Sequence, residues 1–539
     1  MNRLEALVDR YLELHAQLRP VDATFMGLPG QNGRLPPTGP AAMQTEQEQL
    51  HDQLKQAEAF AEPLDAAGER LDLFLLRSQL RVTLAEARTR PRQHNPTWYT
   101  GEAAFGIVGL LLPNERPPDT DMVSARLQEL PDFLAAGTAA LEGLNLPADW
   151  VERARREAAA LEALLLRGLP QHPDWQESWR EPAQRAAQAA QNFGATLRPG
   201  DADPASGEEY LAFLMKEAHH LPYSVAEAER LAEAGFRTLL AELEDMARQL
   251  DPARSWREQL AALEDEHPAL ADVQETYRHW NERALLTAPP LVTPASDYAL
   301  AFETLPPWST EAAGALYFLF YRSPPAYRPG VGSVYWIFPP GADQDAYLRG
   351  QNTAFIKAVH AVHHGSVGHH TQNARARQAD SRLARIAGTD CASGIAFLGA
   401  GTLVEGWACY AEDLLLEVPG FYTPQEELLL KQFELRNAAC CLADLRLHSG
   451  RWTLEEMRAF YRDEVGFAPA RIWAETTRNG IYPATRLMYW LGTRVIRELR
   501  AELNLSPTTF HDQLLSYGSA PVTWIAQDMR QRFAAQGVS

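Results

Sequence analysis

SVAEAERLAEAGFRTLLAELEDMARQL, residues Ser224 to Leu250, is the stretch from which the fold can be read. Ser224 followed by Glu227 is a capping box, in which the two side chains take up the first unpaired backbone N–H groups of a helix. Behind it, apolar residues recur at intervals of three and four through Ala226–Leu250, which places them on one helical face. The same spacing runs through Thr45–Ala59, Leu71–Arg88 and Asp149–Leu166. Residues 1–280 are therefore expected to form amphipathic helices, and the class is mainly α.

The pattern changes near Thr287, where prolines become frequent and β-favouring runs occur at Ala315–Arg322 and Val331–Phe338. A small sheet is expected there. Helical spacing returns after Gln344, and Thr423-Pro-Gln-Glu426 joins a capping box to a proline at the first helical position. Proline-rich turns at Leu35–Pro40 and Pro113–Pro118 break the pattern without resembling flexible linkers. The expected organisation is one continuous unit, with a helical lobe over 1–285 and a second lobe over 286–539 holding the small sheet and the C-terminal helices.

With 539 residues, 46% of them hydrophobic, the chain can bury a large core. Its formal net charge of -20 and the lack of a basic tract argue against a nucleic-acid partner. No run of about 18 apolar residues occurs, so no membrane partner is expected. Met1 to Arg19 has helical spacing and no secretory h-region, and the four cysteines show no CxxC spacing. Reduced thiols and a cytoplasmic location are the expectation. Oligomeric state is not readable.

The chemistry is concentrated in His360-Ala-Val-His-His-Gly-Ser-Val-Gly-His-His370, which holds five of the 15 histidines. Neutral imidazoles one helical turn apart can share a divalent ion, and His360 and His364 have that spacing. A second arrangement pairs His363 with His369, which straddle Gly365 and Gly368. These glycines could end or bulge the helix and fold the later ring back. Spacing alone leaves both open.

Two segments then carry a resemblance: His363-His-Gly-Ser-Val-Gly-His-His-Thr-Gln372 and Glu405-Gly-Trp-Ala-Cys-Tyr-Ala-Glu412. They are similar to the His-Glu-x-x-Pro-Gly-His-His-x-Gln and Glu-Gly-Trp-Ala-x-Tyr-x-Glu signature of the bacterial domain-of-unknown-function family 885, grouped with gluzincin-type metallopeptidases. Pro20-Val-Asp-Ala-Thr-Phe-Met-Gly27, the helix opening at Ser224, and Tyr482-Pro-Ala-Thr-Arg-Leu-Met-Tyr489 with Gly492 follow in the family's order. The resemblance implies a zincin-like, oligopeptidase-like helical architecture with a central cleft. It implies one divalent ion, zinc by preference, on His363, His369 and Glu405, with His360 and His370 as further metal or cleft residues. Tyr482, Arg486 and Tyr489 would bind a peptide or amide substrate.

The chain departs from the pattern where it matters most for catalysis. His364 stands in place of the glutamate that acts as general base, and Val367 in place of the following proline. Removing such a base typically costs roughly 10²–10⁴-fold in rate. His364 could itself be the base, since imidazole is competent for proton transfer. It could instead be an added ligand, or the chain could be a silent or repurposed relative that binds a peptide-like ligand without hydrolysis.

Overall fold

The computed structural model describes residues 3–112, 119–296, 299–315, 321–327, 332–392 and 394–535. The fold is mainly helical with a small sheet, as the periodicity predicts. The Pro113–Pro118 turn, positions 316–320 of the Ala315–Arg322 run and Val331 lie outside the described residues. Two compact units are formed. One comprises Met1–Pro204, Leu305–Gly332 and Ser381–Phe397, and the other Ala205–Thr304, Ser333–Asp380 and Leu398–Ser539.

In the first unit, the helix Pro96–Leu111 is capped by Asn95, whose side chain accepts from the Thr97 N–H at 3.0 Å. Every residue of that helix is buried, which explains why it carries little amphipathic contrast. Arg126, fully buried on the helix Thr120–Leu141, ties three segments together. It donates to the Gly106 carbonyl at 2.6 Å, the Thr24 hydroxyl at 2.7 Å, the Pro20 carbonyl at 3.1 Å and the Arg34 carbonyl at 2.9 Å. Pro20 and Thr24 of the Pro20–Gly27 motif thereby serve as acceptors for one internal cation, because a buried guanidinium requires acceptors.

In the second unit, the capping boxes at Ser224 and Thr423 are both formed, and the helices they open, Val225–Leu250 and Pro424–His448, pack against each other. The strand Leu300–Thr304 pairs in parallel with Ser333–Ile337, Leu300 opposite Ser333 and Thr304 opposite Ile337. The helix Gly401–Leu414 lies tightly along Leu487–Leu503. A Cβ on Gly406 would come within 2.8 Å of the Gly492 Cα, and one on Gly492 within 2.1 Å of the Thr402 carbonyl. Only glycine at both positions permits that approach, and it fixes the helix that carries Glu405. Among the described residues no helix is long and apolar enough to cross a membrane.

Candidate metal centre

The histidine segment leads in through Asn352, whose side chain accepts from the Phe355 N–H at 2.9 Å, and then winds as a π-helix over Ile356–His363. Such widened turns recur at functional sites because they re-aim side chains that an α-helix would point elsewhere. Residues 364–368 form a turn, and His369 opens the helix His369–Arg377. The Gly368 N–H donates to the Val362 carbonyl at 2.9 Å, so the chain doubles back on itself. A Cβ on Gly368 would stand 1.8 Å from the His363 carbonyl oxygen, and one on Gly365 1.9 Å from that of Ala361.

Two side chains hold this turn from outside. The Trp407 indole N–H donates to the Val367 carbonyl at 3.1 Å, and the Asn281 side chain accepts from the Ser366 N–H at 3.0 Å. His363 and His369 are thereby brought to a ring-centroid separation of 4.9 Å, and His364 stacks on His369 at 5.3 Å. Ring nitrogens of His363, His364 and His369 lie within 4.8 Å of one another. Burial first, then the neighbouring imidazoles, holds His363 and His364 well below the ordinary histidine value, so both are neutral imidazoles, the form that ligates metals.

Glu405 is not part of that close trio, but its Oε2 lies 3.7 Å from His369 Nε2. Burial pushes its carboxyl up, against Arg478, Arg486 and a hydrogen bond from Tyr489. Seven residues along the same helix, Glu412 Oε1 makes a 2.6 Å hydrogen bond with His363 Nδ1. A spacing of seven is two helical turns, which puts both carboxyls on one face. Burial, then the charge of Asp413, pushes the Glu412 carboxyl well up; ionised beside a metal-bound ring, it would accept from Nδ1 and leave Nε2 as the ligating atom. A second close group, His363, Cys409 and Glu412, shares this edge of the site.

Of the other residues singled out by sequence, His360 stacks on Tyr277 at 4.8 Å and bonds through Nδ1 to the Tyr335 hydroxyl at 2.5 Å. His370 bonds through Nδ1 to the Ser333 hydroxyl at 3.1 Å. Neither belongs to the close trio. Tyr489 reaches Glu405 and accepts from Arg478 at 3.4 Å. Arg486 is buried, paired with Glu475, and lies over the Tyr489 ring at 5.4 Å. Tyr482 ends the helix Pro469–Ile481, its carbonyl accepting from the Thr485 hydroxyl at 2.8 Å.

Sequence reasoning gave no role to Glu412, Arg436, Arg478 or Glu475. For Glu412 a signal existed, its spacing of seven from Glu405. The arginines and Glu475 come from helices whose approach no local pattern reveals.

No functionally curated protein matches the chain. Among the solved structures that share its fold are two candidate lipoproteins. One, described as a candidate lipoprotein of unknown function from Shewanella oneidensis, is 20% identical with a TM-score of 0.77, over 98% of this chain and 100% of that one. The other, a candidate lipoprotein from Colwellia psychrerythraea, is 15% identical with a TM-score of 0.77, over 99% and 100%. The profile of the family described as bacterial protein of unknown function DUF885 matches residues 20–529. With nearly its whole length matched, the chain belongs to the DUF885 family of bacterial proteins.

Proposed function

We propose that the chain is a metal-dependent hydrolase of peptide or amide bonds, gluzincin-like in chemistry and zincin-like in architecture, with zinc the ion its donors suit. The observation that carries this reading is the trio of neutral imidazoles within 4.8 Å, one of them clasped at Nδ1 by Glu412. Nitrogen donors in that number, with a carboxylate behind one of them, match the chemistry of catalytic zinc sites.

In this reading His363, His364 and His369 bind the ion and Glu412 orients His363. A divalent ion held there supplies Lewis acidity toward a substrate carbonyl. Glu405 would accept at Oε2 the proton of the water that attacks the carbonyl carbon and return it to the amine nitrogen as the C–N bond breaks, in the role the family pattern gives to position 364. Burial raises its basicity, while Tyr489 and Arg478 hold it in place. Amide cleavage is thus assigned to a carboxylate on the second helix.

A second reading, a relative that binds metal and a peptide-like ligand without turnover, is favoured by one observation. His364 sits inside the ligand group, so the histidine segment itself offers no carboxylate base. Metal content and hydrolysis of a peptide library separate the two. The proposal expects about one equivalent of zinc and cleavage by wild type, with Glu405→Gln keeping zinc but losing roughly 10²-fold or more in rate. Zinc binding with no cleavage, and cleavage gained by His364→Glu, selects the second reading. Less than about a tenth of an equivalent of any transition metal, with no uptake on addition, ends both.

Four buried, unpaired cysteines support a cytoplasmic setting, whereas the lipoprotein descriptions of the two structural neighbours point to an anchored one. Subcellular fractionation decides between them.

A further inference from the structure

Beside the histidine centre lies a cation that, among the described residues, no carboxylate contacts directly, although Glu412 and Glu475 stand near enough to act on it through space. Arg436, on the helix Pro424–His448, is only partly buried and rests over the Phe433 ring at 4.6 Å. Phe433 packs on Phe355 at 5.9 Å, and Phe355 on His360 at 5.2 Å, which ties Arg436 to the π-helical segment. Among the described residues its guanidinium makes no hydrogen bond or ion pair.

The acids nearby are engaged elsewhere. Glu412 is bonded to His363, and Glu475 pairs with Arg471 at 2.6 Å and with Arg486. Burial, then the charge of Arg471, pushes Arg436 down from its ordinary value, while Glu412 and Glu475, each already bonded to another partner, offset this only in part. The field of Arg436 also reaches His363 and Glu412. Like charges set together and partly desolvated are costly unless an anion binds between or upon them, and a guanidinium fork matches a carboxylate in shape and charge.

We propose that Arg436, flanked by Arg471, receives a carboxylate of the substrate, so that the centre acts on peptides bearing a free C-terminal or acidic side-chain carboxylate. This rests on the hydrolase reading above and names the substrate class for the same site.

The test is calorimetric binding of three N-methylated, uncleavable tripeptides to the zinc-loaded full chain. One has a free C-terminal carboxylate, one a C-terminal amide, and one a C-terminal amide with a central aspartate. Wild type is expected to bind one of the two carboxylate peptides about tenfold or more tighter than the neutral amide, and which one it prefers identifies the source of the charge. Arg436→Gln should reduce that preference to about twofold or less, and Arg436→Lys should keep part of it. Equal binding of all three peptides, or no binding, overturns the proposal. So does an undiminished preference in Arg436→Gln with native circular dichroism.

Should Arg436→Gln fail to fold, Arg436→Lys and Arg471→Gln carry the same test, an unreduced preference in both being the contrary result. Zinc content is measured on each sample. Zinc without carboxylate preference defeats this inference alone, and carboxylate preference without zinc defeats the hydrolase reading alone.

Discussion

Replacing Gly368 by alanine is expected to dismantle the candidate metal centre while leaving most of the fold intact. The added Cβ would stand 1.8 Å from the His363 carbonyl oxygen and 2.6 Å from that of Val362, whereas ordinary contact begins at 3.4 Å. Both obstacles are backbone, so no side-chain rotation relieves them. The segments must separate by about 1.6 Å, and metal–ligand distances tolerate only about 0.2 Å. His369 follows Gly368 directly and moves with it, so one imidazole of the trio is withdrawn. Zinc affinity should fall roughly 10²-fold or more, with a stability loss of about 1–3 kcal/mol for the forced backbone shift. Zinc competition against a chromogenic chelator gives the first quantity and denaturant unfolding the second. Gly350→Ala, where nothing lies within 4 Å of the added Cβ, serves as control. A folded Gly368→Ala protein with zinc affinity within about threefold of wild type would refute the argument that this close turn assembles the site.

Glu412→Gln removes the carboxylate behind His363 and should weaken zinc binding roughly 10–100-fold without changing stoichiometry, as read by the same chelator competition. Arg126→Ala strips the donor from the Gly106 and Pro20 carbonyls and the Thr24 hydroxyl, and should cost about 3 kcal/mol or more in the denaturant midpoint at neutral pH. Both Glu102 oxygens are buried without a hydrogen-bond partner among the described residues, and burial, then the charge of Asp22, pushes its carboxyl up to about 8 from 4.5. A raised folded value means the native state holds the proton. The stability it contributes is complete below pH 4.5 and lost as pH rises through about 8. Glu102→Gln should therefore gain on wild type by a few kcal/mol, on the order expected from the shift, between about pH 5 and about pH 9. A difference independent of pH would count against a protonated Glu102.

The helical class was legible because capping and periodicity are local. The boxes at Ser224 and Thr423 open helices at the residues the pattern indicates, and Thr45–Ala59 and Leu71–Arg88 fall within Pro40–Glu58 and Ala67–Thr89 to about one residue. The π-helical winding of Ile356–His363 was not legible, since side-chain spacing barely distinguishes it from an α-helix. The parallel partnership of Leu300–Thr304 with Ser333–Ile337 joins residues far apart in sequence, and no local pattern encodes it.

At the site, Gly365 and Gly368, lying between His363 and His369, gave the reason for His369 to fold back on His363, and the structure supplies the obstructing carbonyl. The relative roles of His364 and Glu405 depend on where two helices cross, which composition does not determine. Arg436 was invisible for a related reason: an arginine on a long helix is normally solvated or paired, and only the surrounding fold engages the nearby Glu412 and Glu475 with other partners.

The central claim is that His363, His364 and His369 jointly hold a divalent ion. Diffraction from zinc-loaded crystals at the zinc absorption edge tests it most directly. A single strong anomalous peak is expected within about 2.0–2.1 Å of one nitrogen from each of the three rings, with Glu412 still at His363 Nδ1. No peak at these residues in fully zinc-loaded protein, or a peak bound to His360 or His370 instead, would contradict it.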